Sequence, residues 1–489
     1  MTSSRIVHTT HLATALTSLL SLAALDAPAQ TVYAQAPAYA QAPAPERYAP
    51  AIDFARTLVS AMMAESGTPG ASVAVGIDGK IVWSEGFGYA DVENRAPVWV
   101  ETKFRIGSVS KSLTAAALGV LHERELLDLD APVQKYVPSF PQKRWPVTIR
   151  QLAGHLAGIR HYNGTEFLSN RRYSTVLEGL EIFQNDTLLF EPGTRYSYSS
   201  YGWNLLSAAV EGASGESFLS FMREEVFEKL GMTHTVADHA DSIIPHRTRF
   251  YERTQDGRIV NAPYVDNSYK WAGGGFLSTP EDLLTFAFAH LNGGFLNSGT
   301  IDTLWTSQRT ADGAETGYGI GWFVARDEDL GTLVWHGGGS VGGTTFLLIY
   351  PQRHAALAIV GNMTRAPVAS AARLVLDAFL EPDRLRASAL GADVSGTYTC
   401  SASSGEEQVA RATLDISGAP EGYWGRIGWG RASPGRIIFS SSDAEATRLV
   451  AVGTDGMLMG VRLAEVGERG ASGSWSIGGR HGALACDRE

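Results

Sequence analysis

The sequence of 489 residues is poor in cysteine and lysine, and its net charge is negative. It has only 2 cysteines, so its stability does not depend on a network of disulfides, and a chain this long can bury a large core without them. The formal net charge of −11 argues against general binding to nucleic acid or to anionic membranes. Its 44% hydrophobic and 19% charged residues exclude a disordered, collagenous or coiled-coil chain. We therefore expect a globular protein of about three domains with no nucleic-acid partner.

The N-terminus has the pattern of an export signal. Arg5 precedes the apolar run Leu12–Leu25, and no acidic residue occurs before Asp26. Ala27–Ala29 offers a small-residue cleavage site. Because the run is too short to span a bilayer comfortably, we predict that residues 1–29 are a signal peptide of a periplasmic or secreted protein with no further membrane span. An uncleaved anchor and an organelle transit peptide are the alternatives.

The chain after this segment divides into a tether and a mixed domain. Residues 30–50 are mainly Ala, Pro, Gln and Tyr, which predicts a loose linker. Strand-like runs at both ends of residues 51–385, with a helix-rich middle, predict one α/β (α+β) domain in which an antiparallel sheet is flanked by helices. The clearest local signals are a hairpin at Asp78-Gly79, a buried helix over Lys111–Arg124, strands at Thr332–Trp335, Thr345–Tyr350 and Ala355–Asn362, and a closing helix from Val368 to Leu380.

The last hundred residues have a different pattern. Eight short strand-like runs separated by turn residues predict a small antiparallel barrel or sandwich over residues 390–489. The two cysteines, Cys400 and Cys486, fall in its first and last runs, which are neighbours in a closed barrel. We favour a disulfide between them, which would stabilise the fold by roughly 4 kcal/mol. Two separate buried thiols are the alternative.

One lysine of the 7 in the chain has a serine one helical turn before it. Ser108 and Lys111 can therefore project from the same face at the start of a helix. A serine hydroxyl becomes a good nucleophile when a nearby base accepts its proton, and burial lowers the pKa of a lysine amine so that it can be that base. This spacing occurs by chance in many proteins, so an ordinary surface lysine is the alternative for this motif taken alone.

Two later segments carry further groups of the same chemistry. Glu191–Ser200 places three tyrosines and several hydroxyls in a loop, and Tyr198 is our candidate for a proton shuttle. His336 and the glycines after it follow a predicted strand that ends at Trp335. An exposed N–H in such a glycine run could complete an oxyanion hole. A plain glycine-rich turn with a surface histidine is the alternative.

Taken in order, these motifs resemble those of serine β-lactamases and DD-peptidases, in particular the class C-related branch. The resemblance rests on Phe104–Lys111, on Pro192–Ser200 and on His336–Gly338. It covers about residues 55–380. Further landmarks are Leu152–Ile159 with His155 and Ala272–Gly274 leading to Asp282, while Gly158–Tyr162 and Pro263–Thr279 resemble the branch found in animal mitochondria.

The resemblance implies a role for each motif. Ser108 is the expected nucleophile and Lys111 its proton acceptor. Tyr198 is the expected acid–base, and His336 stands where many relatives have a lysine. The expected oxyanion and substrate-binding groups are the N–H groups of Ser108 and Gly339, together with Gly338 and Ser200. The last hundred residues resemble the lipocalin-like domains that follow this fold in some bacterial relatives.

Two departures from the family pattern bear on the substrate. Ser200 replaces a common asparagine, and Gly337 replaces a threonine or serine that binds the substrate carboxylate. The loss of that hydroxyl weakens the case for β-lactams, and Ser340 is the nearby hydroxyl that could replace it.

We expect an exported serine hydrolase, a peptidase before an esterase or β-lactamase, that acts on a small peptide or ester without a cofactor or metal. A homo-oligomer is one option for its assembly. A non-catalytic filament or scaffold, or a penicillin-binding sensor, is the alternative. Zinc-site spacing and the Gly-x-Ser-x-Gly elbow of α/β-hydrolases are not found in the sequence.

Overall fold

The computed structural model describes residues 39–40, 45–327, 330–385, 391–405, 407–477 and 480–489. The predicted signal peptide lies outside the described residues. Among the helices of the described part, none is long and apolar enough to cross a membrane. The strands before residue 390 are β1 Tyr39–Ala40, β2 Gly70–Ile77, β3 Lys80–Asp91, β4 Ala96–Pro97, β5 Phe104–Arg105, β6 Val236–Ala237, β7 Tyr251–Arg253, β8 Ile259–Asn261, β9 Phe276–Ser278, β10 Phe323–Asp327, β11 Gly331–Ser340, β12 Gly343–Tyr350 and β13 Ala355–Gly361.

The central sheet is antiparallel and is built from both ends of this region. Its strand order is β1-β3-β2-β13-β12-β11-β10, with β4 paired to β3. Asp78 and Gly79, both with positive φ (52° and 73°), form the turn between β2 and β3, as two-residue hairpins of right-handed twist require. The predicted mixed fold, with a sheet that joins N- and C-terminal strands, is confirmed.

Helices cover both faces of the sheet. Along β13, Ala356, Ala358 and Val360 belong to one apolar core, whereas Leu357 and Ile359 belong to the other, as the two-residue period of a strand demands. The helices are α1 Ala49–Ser66, α2 Ser110–Glu123, α3 Ile149–Ala153, α4 Val176–Leu180, α5 Ser200–Ser214, α6 Phe218–Phe221, α7 Glu228–Leu230, α8 Trp271–Gly274, α9 Pro280–Leu291, α10 Ser298–Trp305 and α11 Ala369–Leu380.

Two expectations about element boundaries need correction. The strand predicted to end at Trp335 is longer, because β11 continues through the glycines after His336 and pairs Gly338 with Thr345 and Gly339 with Thr344. The alternative of a glycine-rich turn is thereby excluded. Part of the predicted linker over residues 30–50 is also ordered, since β1 pairs with Gly86 and Glu85 of β3 and a helical turn begins at Glu46. Neither feature shows in the sequence, because glycine and an Ala/Pro-rich stretch have low strand and helix propensity.

The C-terminal region is a closed eight-stranded antiparallel barrel, as predicted. The register places Cys400 opposite Cys486, and the structure joins them in a disulfide. The barrel packs on α1 and α11, since Val450, Val452 and Leu458 share the apolar core of these helices. Its strands are β14 Gly396–Ser404, β15 Glu407–Ala419, β16 Gly422–Trp429, β17 Gly435–Ser442, β18 Thr447–Val452, β19 Leu458–Gly467, β20 Gly470–Ile477 and β21 Arg480–Arg488.

Candidate active site

Ser108 lies in a tight helical turn, Gly107–Val109, that leads directly into α2. Gly107 has a φ of 50°, and a Cβ atom there would lie 2.6 Å from the carbonyl oxygen of Gly339. A Cβ on Gly338 would lie 1.9 Å from the carbonyl oxygen of Ile106. Gly107 and Gly338 are therefore needed because the backbone of the serine turn packs directly against β11.

Lys111 is completely buried on the first turn of α2. Its Nζ is 3.1 Å from Ser108 Oγ, 3.0 Å from Ser200 Oγ and 2.6 Å from the carbonyl oxygen of Gly273. A neutral amine has two N–H donors and one lone pair. The carbonyl of Gly273 can only accept, and Ser200 can take the second N–H, which leaves the lone pair for the hydroxyl proton of Ser108.

The electrostatics of the site keep Lys111 neutral. Burial lowers the pKa of Lys111 well below its ordinary value, and the nearby positive charge of Lys270 lowers it further. Among the described residues, no carboxylate forms an ion pair with this amine that would restore its charge. The site therefore favours the uncharged amine of Lys111, which is the form that can accept a proton.

Tyr198 is the tyrosine that the structure brings to this pair. Its side chain interacts with that of Ser108, and its ring centroid lies 5.0 Å from Lys111 Nζ. Burial raises the pKa of Tyr198 above that of an ordinary phenol, so the hydroxyl keeps its proton. The ring of Tyr196, the other tyrosine at this end of the loop, lies 5.8 Å from that of His155, and the contacts with Ser108 and Lys111 are made by Tyr198. The site thus brings a buried amine and a neutral phenol together at one serine.

Two histidines hold the loop that carries Tyr198. The buried Nδ1 of His155 accepts a hydrogen bond from the N–H of Ser199 (3.0 Å), and its ring lies 4.1 Å from that of Tyr198. Nδ1 of His161 accepts a hydrogen bond from the N–H of Ser200 (3.1 Å). Burial lowers the pKa of both rings, that of His161 to about 4, so both are acceptors at neutral pH. Sequence reasoning noted His155 only as a landmark; its left-handed backbone (φ 61°) is not visible in a sequence.

His336 occupies the predicted third motif but contacts the catalytic groups only indirectly. Its Nε2 lies 3.0 Å from the hydroxyl of Tyr318, and its Nδ1 lies 2.7 Å from the carbonyl oxygen of Gly337. Because that carbonyl can only accept, Nδ1 carries the proton and Nε2 accepts from Tyr318. Burial lowers the pKa of His336 to about 3, so the ring is neutral. The ring of His336 lies near that of Tyr198, with the two ring centroids 6.4 Å apart.

The two glycines predicted to bind substrate have different surroundings. Gly339 is exposed and lines the cavity next to Ser108, whereas Gly338 is buried against Ile106. Ser340, the hydroxyl considered as a substitute for a missing threonine, is only 3% exposed and does not line the cavity. Gly339 is therefore the glycine of this motif that can contact a substrate.

A cavity of about 290 Å³ opens over Ser108. It contains side chains to which the sequence assigned no role, notably Tyr162, Phe167 and Lys270. The signal that could have found them is the aromatic-rich run around Lys270, one of the few lysines in the chain. Within the described residues, no cluster of three His, Cys, Asp or Glu side chains could hold a metal ion. The cavity is lined by Ser108, His161, Tyr162, Phe167, Ser200, Lys270, Gly273, Gly274 and Gly339.

Comparisons with known proteins agree with this geometry. Residues 55–380 match the family model described as beta-lactamase. The human serine beta-lactamase-like protein LACTB, mitochondrial, is 37% identical over 414 residues, which are 65% of this chain and 76% of that protein. Penicillin-binding protein 4* of Bacillus subtilis (strain 168) is 26% identical over 300 residues, 58% of this chain and 66% of that protein.

A solved structure shares the fold over most of the chain. The octameric penicillin-binding protein homologue from Pyrococcus abyssi has a TM-score of 0.59 and 24% identity, and the match covers 89% of this chain and 99% of that chain. At this identity the likeness shows the fold alone, and the octamer described in its title is a property of that protein.

These relatives also correct one expectation. The human, mouse and bovine proteins are named as mitochondrial, which contradicts the periplasmic or secreted location that we predicted from the N-terminus. That prediction is therefore wrong. The catalytic fold, the order of its motifs and the match over residues 55–380 agree with one another, and the chain belongs to the beta-lactamase family.

Proposed function

We propose that this chain is a serine hydrolase that cleaves amide or ester bonds through an acyl-enzyme on Ser108. The observation that carries the proposal is the buried, neutral Lys111, whose Nζ lies 3.1 Å from Ser108 Oγ. A lysine kept uncharged in this position has one chemical use, which is to accept the hydroxyl proton of the serine. The names of the similar human and bacterial proteins, serine beta-lactamase-like and penicillin-binding, support the same chemistry.

Acylation follows from the two neutral partners of the serine. Ser108 Oγ forms a bond to the substrate carbonyl carbon while its proton passes to Lys111 Nζ. In this mechanism the N–H groups of Ser108 and Gly339 stabilise the resulting oxyanion. The bond to the leaving nitrogen or oxygen then breaks, the leaving group takes the proton of Tyr198, and the ammonium of Lys111 returns a proton to Tyr198. The amine or alcohol departs, and both Lys111 and Tyr198 are neutral again.

Deacylation uses the same groups with water as the nucleophile. A water molecule attacks the acyl carbon and gives a proton to Lys111, by way of Tyr198 or directly. The bond to Ser108 Oγ breaks, and the serine takes its proton back from Lys111. The carboxylic acid product leaves, and the free enzyme is restored with atoms and charge balanced.

Among possible substrates, we propose peptides before β-lactams. The third motif offers no hydroxyl for the carboxylate of a β-lactam, because Gly337 has no side chain and Ser340 does not reach the cavity. A small peptide or ester needs only the oxyanion groups and the cavity over Ser108.

The proposal is tested by intact-mass spectrometry after timed incubation with a fluorophosphonate, followed by peptide mapping. We expect one adduct on Ser108 in the wild-type protein and none in Ser108→Ala. Ser112→Ala is the control, because Ser112 lies on the helix that follows Ser108, is fully buried and donates its hydroxyl to the carbonyl of Gly321 at 2.7 Å. A folded wild-type protein without an adduct would contradict the proposal and favour the scaffold alternative.

A further inference from the structure

Lys270 is a buried lysine in the wall of the active-site cavity that the mechanism does not use. Its side chain is 1% exposed, and it lines the cavity together with Ser108. Among the described residues, its amine makes no hydrogen bond and no ion pair. Its neighbours are aromatic rings, with centroids 4.2 Å away for Phe167, 5.5 Å for Tyr269 and 5.9 Å for Tyr162.

A buried amine without a partner is unusual, because burying an unpaired charge is strongly unfavourable. Asp238 is the carboxylate whose field acts on Lys270, but other groups already bind it. Arg105 Nε lies 2.7 Å from its Oδ2 and Asn267 Nδ2 lies 2.8 Å from the same atom. Lys270 therefore lacks a dedicated counter-ion in the protein, and its open side faces the cavity.

The position of Lys270 also indicates which part of a substrate it meets. Tyr198, which delivers a proton to the leaving group, does not line the cavity, nor does His336 behind it. Ser108 and Gly339, which hold the reacting carbonyl, line it together with Lys270. The leaving group therefore lies on the Tyr198 side, and the cavity with Lys270 receives the acyl part of the substrate.

We propose that Lys270 binds the carboxylate of an acidic acyl group, so that the enzyme prefers substrates cleaved after an Asp or Glu residue. The inference rests on the proposed function. A carboxylate supplies the missing partner of the amine, and the rings of Phe167 and Tyr162 exclude water from the pair, which strengthens it. A neutral amide of the same shape leaves the amine without an ion pair.

The charge of Lys270 changes in the neutral pH range. Burial, followed by the field of Arg105, lowers the pKa of Lys270 to about 7, and Asp238 opposes this shift. The other titratable groups facing it are Lys111, His161, Tyr162 and Tyr269. Burial lowers the pKa of Lys111 and His161 and raises the pKa of the two tyrosines, so each of these groups favours its uncharged form. Preference for an acidic substrate should therefore be strong below neutral pH and should fade above it.

The test compares isosteric substrates that differ only in charge: acetyl-Asp and acetyl-Asn p-nitroanilide, and the corresponding Glu and Gln pair. We expect kcat/KM at about pH 6 to favour the acid over the amide by about tenfold or more in at least one pair. The ratio should fall towards one at about pH 9, because the neutral amine no longer pairs with the carboxylate. Since the same catalytic groups act on both substrates, their own titration cancels in the ratio.

Lys270→Met should bring the ratio close to one, while Lys103→Met should leave it unchanged. Lys103 is a matched control, since it is also buried but donates to the carbonyl of Pro245 at 3.1 Å and does not line the cavity. A wild-type ratio near one at every pH, in a protein that still forms the Ser108 adduct, would overturn the inference and leave the proposed function standing. A ratio that survives in folded Lys270→Met would also overturn it. Absence of the adduct would instead count against the proposed function.

Discussion

The two lysines of the cleft are both buried, but the surroundings of their amines are opposite. Lys111 has three oxygen atoms within 3.1 Å, supplied by Ser108, Ser200 and Gly273. The amine of Lys270 makes no hydrogen bond or ion pair among the described residues; it lies against aromatic rings and lines the cavity. At one end of the cleft the protein satisfies the amine completely, and at the other end it leaves the amine unsatisfied.

This difference indicates what each lysine is for. An amine whose two N–H groups and lone pair are all engaged is fixed in one geometry, which suits a base that must accept a proton along one line. An amine without a partner retains the full benefit of pairing for a ligand, which suits recognition of charge. Burial lowers the pKa of both, but only Lys111 touches the nucleophile.

The largest expected effect is the loss of labelling when Lys111, the lysine with three hydrogen-bonding partners, is replaced. Lys111→Met removes the proton acceptor of Ser108, so the rate of fluorophosphonate labelling should fall by about a thousandfold or more. The same change at Lys270 should alter labelling far less, because its amine does not touch the serine. Time-resolved intact-mass spectrometry measures both rates. If the two variants lost labelling equally, the separation of base and binding cation would be wrong.

A smaller effect on activity is expected from removing the hydroxyl of Tyr198, the phenol next to Ser108 and Lys111. Tyr198→Phe removes the proton that the leaving group needs, so kcat for an anilide should fall by about a hundredfold. Tyr196→Phe is the matched control, because it lies in the same loop and its ring packs on His155 rather than on the catalytic pair. Steady-state kinetics of both variants measure this difference. A severe defect in Tyr196→Phe with a mild one in Tyr198→Phe would show that Tyr196, and not Tyr198, is the proton donor.

The proximity of Ser108 and Lys111 was predictable from the sequence, and the surroundings of Lys270 were not. Ser108 and Lys111 are one helical turn apart, and the dipeptide Asp78-Gly79 is typical of a hairpin turn. Both signals are local in the sequence, so they can be recognised without the structure. The sequence did not predict a strand through Gly338. A glycine is needed there because the backbone of Ile106, more than two hundred residues earlier in the chain, packs against it. Lys270 could not be assigned because its isolation depends on Asp238 being bound by Arg105, which is a three-dimensional fact.

The last prediction concerns the free energy of unfolding, which the unpaired amine of Lys270 should lower. The pKa of Lys270 is about 7 in the folded protein against 10.5 for an ordinary lysine. Between these values the unfolded chain binds more protons, so this group makes the fold less stable as the pH falls from 10.5 to 7, and the deficit is complete below 7. Lys270→Met should therefore stabilise the protein by on the order of 2 kcal/mol at about pH 6, with a gain that shrinks towards pH 10.

Denaturant unfolding of the wild type, Lys270→Met and Lys103→Met at these two pH values measures this gain. Lys103→Met should show a smaller gain. Burial lowers the pKa of Lys103 as well, but the fields of Asp282 and Glu101 oppose that shift, and its amine donates to the carbonyl of Pro245. A gain for Lys270→Met that is equal at both pH values would reflect packing alone, and the amine would then not be an unpaired cation in the folded protein. A gain that is confined to the lower pH would show that the fold tolerates an unpaired charge in the cavity, where a substrate carboxylate can neutralise it.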